Sequence, residues 1–251
     1  MGSEVIKLNA SRGLGDAIYL RAAALHMLDR GEQVAVYTQW PTVFSDLPVD
    51  VRPLTEREGE TDLRHVANSL NGHDPQGRSN FAACCANAGI AEPVELRAKW
   101  TVRNHALLER IQQLAAGRPI FVYQPRKRAQ NAEQKLIRPE TAPYNAFIGQ
   151  HSEYFRVRLG QTPFVEFDRS AACEIDLLDK TSISDAFDIG TIGNFFFGES
   201  CFIPMLGEAN SRRYAVMFTR RALNSEGRMR FMTPERLFHK RQLGEAVYDE
   251  S

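Results

Sequence analysis

The 251-residue chain lacks most of the signals that would fix its class at once. It has four cysteines, Cys84, Cys85, Cys173 and Cys201, and none is in C-x-x-C spacing. A vicinal pair is a poor zinc or disulfide framework, so a reduced protein is expected. No apolar run approaches the ~18 residues of a membrane-spanning helix. The first residues, Met1 to Lys7, carry no charged segment leading into an apolar one, so a secretory signal is not expected and the cytoplasm is the expected location. Neither sign of charge is in excess, with 31 Lys+Arg against 31 Asp+Glu. A protein that coats nucleic acid is usually basic. The histidines (His26, His65, His73, His105, His151, His239) are scattered, without H-x-x-x-H or H-E-x-x-H, so no metal site is expected. There is also no G-x-x-x-x-G-K-[ST] phosphate loop and no G-x-S-x-G elbow.

What is present is globular: 43% hydrophobic, 10% aromatic and 25% charged residues exclude disorder, collagen and coiled coil. Val5 to Ala10 reads as a strand and Ser11-Arg12-Gly13-Leu14-Gly15-Asp16 as a glycine turn. Ala17 to Arg30 reads as a helix with a roughly 3.6-residue apolar period, ended by Gly31. Gln33 to Thr38 reads as a second strand. Strand, turn, helix, strand makes a βαβ unit with parallel strands and a site at their carboxyl ends. Val49 to Leu54 predicts a third strand, and helices are predicted near 80–88 and 104–116. Pro119 to Pro125 is an apolar strand that opens a second α/β unit, whose later pieces are strands at 164–167, 194–198 and 214–218 and helices near 184–192 and 203–208. Two α/β domains joined near Ala115 to Pro119 are expected, spanning residues 1–116 and 117–251.

Three segments could carry chemistry. In the first, Gly13, Leu14 and Gly15 let backbone N–H groups approach an anion at a helix start. The segment is not the dinucleotide fingerprint, because Ile18 holds the third glycine position. Asp16 is either a capping carboxylate or a general base for an attacking hydroxyl. In the second, Arg126, Lys127 and Arg128 follow a buried strand, with Arg138 beyond. Such cations suit a diphosphate, Arg as a bidentate donor and Lys as a point charge. In the third, Phe195-Phe196-Phe197-Gly198 ends in Glu199 and Ser200, which could meet sugar hydroxyls and phosphate or merely cap a helix. Cys201 reads as a buried structural thiol. Basic charge gathers in two stretches: six basic residues against one acid in 118–138, and nine against two in 212–241. The second stretch interleaves Tyr214, Phe218, Phe231 and Phe238, as a phosphate-tracking surface would; the alternative is a solvated terminal helix.

In their order, these segments resemble glycosyltransferases of the two-Rossmann (GT-B) type, in particular the heptosyltransferase family of bacterial lipopolysaccharide cores. The likeness lies in Val5 to Leu28 with its Gly-Leu-Gly-Asp, in Ile120 to Arg128, and in Asp179-Lys180-Thr181-Ser182-Ile183-Ser184-Asp185 through Glu199-Ser200. The resemblance implies an α/β fold of two Rossmann-like domains facing across a cleft, the first for the acceptor and the second for a nucleotide-diphosphate sugar. It implies inversion with Asp16 as catalytic base, and donor binding by Arg126, Lys127, Arg138, Glu199 and Ser200. No metal and no cofactor beyond the nucleotide-sugar co-substrate is implied. Glu199-Ser200-Cys201-Phe202-Ile203-Pro204 stands where the family has Asp-Ser-Gly-x-x-His, so heptose is not assumed as the sugar. Such a compact, divergent form would suit a phage or mobile element. A glycan or lipid-linked saccharide is the expected acceptor, and hydroxymethylated DNA is the alternative. A protein that binds nucleotides through this fold without catalysis is the reading from another class.

Overall fold

The computed structural model describes residues 5–10, 13–57, 60, 62–66, 76, 78–126, 140–162, 165, 172–199, 202–219 and 237–249. The chain opens with the expected βαβ unit: β1 (Ile6–Asn9), α1 (Leu14–Asp29) and β2 (Val34–Thr38), with Ile6 opposite Val34 and Asn9 opposite Tyr37. β3 (Asp50–Pro53) pairs along β2, and the short β4 (Leu63–His65) pairs along β1. All four strands are parallel, in the order β3-β2-β1-β4. α2 (Asn80–Asn87) begins where the Ser79 hydroxyl accepts the Ala82 N–H, and the Phe81 ring lies 5.2 Å from Tyr19 of α1.

α3 (His105–Ala115) ends in a left-handed turn at Ala116 and Gly117, with φ of 49° and 84°. The chain then builds a second parallel sheet from β5 (Ile120–Tyr123), β6 (Phe155–Arg158), β7 (Ile175–Asp176), β8 (Phe195–Gly198), β9 (Arg213–Thr219) and β10 (Gly244–Asp249). Its order is β10-β9-β8-β5-β6-β7. α4 (Thr141–Gln150) covers one face, where Phe121, Tyr123, Phe195 and Phe197 pack with Tyr144 and Phe147. On the other face α3, α5 (Ile183–Ile192) and α6 (Phe202–Ala209) join Ile120, Val122, Phe196 and Val216 in a core continuous with that of the first sheet.

α1 is the hinge of this arrangement in the sense of packing. The sequence pattern predicts one buried face, yet burial runs without a gap from Ala17 to Leu25. A helix buried on all sides has protein on all sides. Here the first sheet and α2 lie against it, and α6 packs on the rest. Arg21, in the middle of that run, is fully buried and uses every donor. Its Nε bonds the Ala98 carbonyl, Nη1 the Val43 carbonyl and Asp46 Oδ1, and Nη2 Asp46 Oδ2 and the Lys99 carbonyl. The 94–104 segment ties the sheets together. Ala98 N–H donates to Ala209 of α6 at 3.0 Å. Trp100 stacks on Phe187 of α5 and donates Nε1–H to the buried Asp188 at 2.6 Å. Asp188 also accepts the N–H groups of Arg103 and Asn104. Past β9 the chain returns to the first half, where His239 Nδ1 lies 2.9 Å from the Ser79 hydroxyl.

Several expectations need correction. The strand expected at 164–167 falls mostly outside the described residues; only Val165 is inside them. The stretch 212–241 is not a solvated helix where it is described, since Arg213 to Thr219 form β9. Nor do its aromatics track phosphates: Tyr214, Phe218 and Phe238 are buried against one another. Phe231 lies outside the described residues. β4, β6, β7 and β10 were not expected at all.

Candidate functional site

A cavity of about 550 Å³ is lined by segments that follow strands of both sheets. From the first half it is lined by Gly13 to Asp16, which open α1, and by Trp40, just past β2. From the second half come Gln124 after β5, Leu159 to Gln161 after β6, Thr181 to Ile183 at the start of α5, and Phe202, Ile203 and Met205 of α6. This is where open parallel sheets place ligands. Three helices, α1, α5 and α6, begin at this cavity, and a helix N-terminus is a partial positive pole.

The turn into α1 is built around Asp16. Its Oδ2 accepts the Gly13 N–H at 3.2 Å, one half of a capping box; the reciprocal half is missing because Gly13 has no side chain. A Cβ at Gly13 would sit 2.8 Å from that same Oδ2, so glycine here leaves room for the carboxylate. A Cβ at Gly15 would sit 2.6 Å from Met205 Sδ. Gly15 therefore serves close packing of α1 on α6. Burial raises the Asp16 pKa above the ordinary carboxylate range, and the Gly13 N–H only partly offsets it. Asp16 Oδ1 bonds none of the described residues. The capping role is thus real, and it leaves one oxygen of a strengthened base for other use.

Behind Asp16, burial, with the Asp16 charge adding, pushes the Cys84 thiol up to about 12; burial alone does the same to Cys85. Both thiols are free and buried, and such thiols stay protonated and inert. On the opposite wall, α5 begins with a full capping box: Ser182 Oγ accepts the Asp185 N–H at 3.1 Å, and Asp185 Oδ2 accepts the Ser182 N–H at 2.8 Å. Among the described residues no group of His, Cys, Asp and Glu side chains is arranged to hold a metal ion.

Of the residues singled out from sequence, Gly13, Leu14, Gly15 and Asp16 meet in the crevice with Thr181, Ser182 and Ile183. Arg126 is half-buried two residues past Gln124, and Glu199 is buried directly after β8; neither lines the cavity. Lys127, Arg138 and Ser200 lie outside the described residues. Trp40, Gln124, Leu159, Gln161 and Met205 line the cavity unforeseen. Trp40 stands two residues beyond a strand recognised from sequence, so the strand-end rule alone would have marked it; Gln124 fell inside the strand expected over Pro119 to Pro125, which ends at Tyr123.

No protein-family model matches the chain, and no curated protein matches it significantly in sequence. Solved structures do match in fold. A glycosyl transferase family 9 protein from Veillonella parvula superposes with a TM-score of 0.63 at 9% identity, covering 98% of this chain and 86% of that one. E. coli ADP-heptose lipopolysaccharide heptosyltransferase II gives 0.59 at 14% identity, covering 98% and 93%. The iron-containing dodecameric glycosyltransferase TibC from enterotoxigenic E. coli gives 0.57 at 11%, covering 86% and 58%. At such identities the likeness is one of fold: an α/β chain with parallel sheets, in the arrangement these glycosyltransferases share. Among the described residues, no helix is long and apolar enough to cross a membrane.

Proposed function

We propose that the protein is a glycosyltransferase of the GT-B type, moving a sugar from a nucleotide-diphosphate donor to an acceptor hydroxyl with inversion. The observation that carries the reading is Asp16: a carboxylate with a burial-raised pKa, in a cavity lined by segments that follow strands of both sheets. The fold neighbours support it, and one of them, TibC, is a heptosyltransferase described in complex with ADP-D-β-D-heptose.

In this reading residues 1–116 carry the acceptor and 117–251 the donor. Asp16 takes the proton of the acceptor hydroxyl as its oxygen attacks the anomeric carbon. The bond from that carbon to the phosphate oxygen breaks, and its electron pair leaves with the nucleoside diphosphate. The N-termini of α5 and α6 line the same cavity and would stabilise the charge that develops there, and Arg126, Lys127 and Arg138 are assigned to the donor phosphates on the strength of the sequence resemblance. Glu199 and Ser200, at the end of β8, belong to the nucleoside side. No metal is needed for the proton transfer. A saccharide acceptor is preferred over DNA, because Tyr214, Phe218 and Phe238, three of the four aromatic residues that favoured a nucleic-acid surface, are in the core.

Thermal shifts with UDP, GDP, ADP and CMP and their sugars test the donor half, and selective stabilisation by one nucleotide is expected. Asp16→Asn is expected to abolish transfer with donor binding intact. Near-normal turnover by that variant would remove Asp16 from the mechanism.

A further inference from the structure

We propose that Trp40 is the platform on which the ring of an uncharged pyranoside acceptor lies, with its reacting hydroxyl turned to Asp16. The proposal rests on the glycosyltransferase reading above and names the acceptor that reading leaves open. A general base must stand within hydrogen-bond reach of the proton it takes. The ring carrying that hydroxyl is therefore held within about one ring's width of Asp16. Among the described lining residues from the first half, the large flat side chain is the Trp40 indole.

The indole is held on a rigid support. Trp40 N–H donates to Thr38 Oγ1 at 3.0 Å, and Pro41 restricts the backbone before it. The short 3-10 turn Pro41–Phe44 follows, with Val43 and Phe44 fully buried, and the Val43 carbonyl is clamped by the buried Arg21. The turn packs against both α1 and α5. A platform fixed in this way loses little entropy when a ring settles on it.

The rest of the lining selects the ligand class. Asp16 is the sole charged side chain lining the cavity among the described residues, and it repels an anionic ring. The other polar groups are Gln124, Gln161, Thr181 and Ser182, neutral side chains that both donate and accept, as hydroxyls require. An apolar aromatic face with a few neutral polar groups opposite fits a ring that is C–H on one face and hydroxylated at its rim.

The chain has two tryptophans, so indole N–H resonances of the full-length protein give two signals, and Trp40→Phe assigns them. Trp100 is buried and bonded to Asp188, so its signal also reports an intact fold. Titration with methyl α- and β-pyranosides at millimolar concentration is expected to move the Trp40 signal saturably and leave Trp100 in place. Trp40→Ala and Trp40→Phe no longer carry that indole, so their pyranoside binding is read beside wild type by isothermal titration calorimetry, and Trp40→Ala is expected to weaken it by about tenfold or more, the scale at which an aromatic anchor counts. Trp40→Phe, which keeps a flat ring, should restore most of it. A Trp40 signal that no methyl pyranoside moves overturns the proposal. So does one that moves only with 5-hydroxymethyl nucleosides, or Trp40→Ala binding as well as wild type. The titration uses no nucleotide sugar and no turnover, so failure of the transfer reading would show separately in the donor thermal shifts.

Discussion

Replacing Arg21 with methionine keeps most of the aliphatic stem and removes the guanidinium from the centre of α1. The side chains of Arg21 and Asp46 are 0% and 5% exposed and meet through two bonds of 2.7 and 2.9 Å. Without Arg21, Asp46 is left as a buried charge with only the Thr101 N–H as a described partner, and the Ala98, Val43 and Lys99 carbonyls lose a donor. Breaking a buried pair from one side costs about 3–5 kcal/mol. For a chain of this size that is a drop of roughly 6–20 °C in Tm, a large share of a stability that is typically about 5–15 kcal/mol.

The cost should depend on pH with a definite sign. Burial pushes the Asp46 carboxyl up, but Arg21 and the Thr101 N–H outweigh it and hold the pKa below its ordinary value. The pair therefore stabilises the fold above the ordinary carboxyl range and stops doing so as pH falls through the lowered value. In Arg21→Met the same carboxyl is buried and uncompensated, and takes up a proton at higher pH, so the deficit narrows as pH falls. Urea melts of wild type, Arg21→Met, Asp46→Asn and the double variant from pH 4 to 8 measure this. The double variant should cost less than the sum of the singles by about 0.5–3 kcal/mol, the coupling expected of contacting residues. A deficit under about 1 kcal/mol for Arg21→Met, or strict additivity, would refute the assignment of Arg21 as a buried cornerstone.

Two further outcomes are expected. The rate of transfer should rise with pH through the Asp16 pKa, inflecting above the ordinary value of about 3.9; a profile flat across pH 4 to 8 argues against a base at this position. Because the folded pKa lies above the unfolded one, the ionised carboxyl costs stability once pH rises through that window. Asp16→Asn should therefore melt no lower than wild type at pH 7. Gly207→Ala would place a Cβ 2.7 Å from Cβ, Cγ and Cδ2 of the fully buried Phe196. The helix-propensity gain of about 1 kcal/mol is outweighed by overpacking of about 1–3 kcal/mol or more; a variant more stable in urea would show α6 to be looser on β8.

The legible parts of the fold were those where a local pattern is strong. Gly13 to Asp16 between an apolar strand and a long apolar helix marks a βαβ unit whatever follows, and Phe195 to Gly198 can hardly be anything but a buried strand. β6 was hidden by its own residues: Phe-Arg-Val-Arg looks like surface until Arg158 is seen buried, its Nε donating to Tyr123 and Nη1 to Asp176. β4 and β7 have three and two residues, too few to show a period. In the site, Asp16 was legible because the motif that turns the chain also carries the acid. Arg126 and Glu199 stand out in the sequence as ions near strand ends; the described lining of the cavity is mostly neutral and comes from segments far apart in sequence, which no local pattern joins.

Helix α1 has one further consequence. A helix buried on its whole circumference is shared property: cut the chain between residues 116 and 117 and each fragment would expose raw surface that the other had covered. The second half could not then be exchanged for that of a relative as a cassette. The graft would have to bring along whatever meets Gly15 and the rest of that helix, beginning with a partner for the space Met205 now fills.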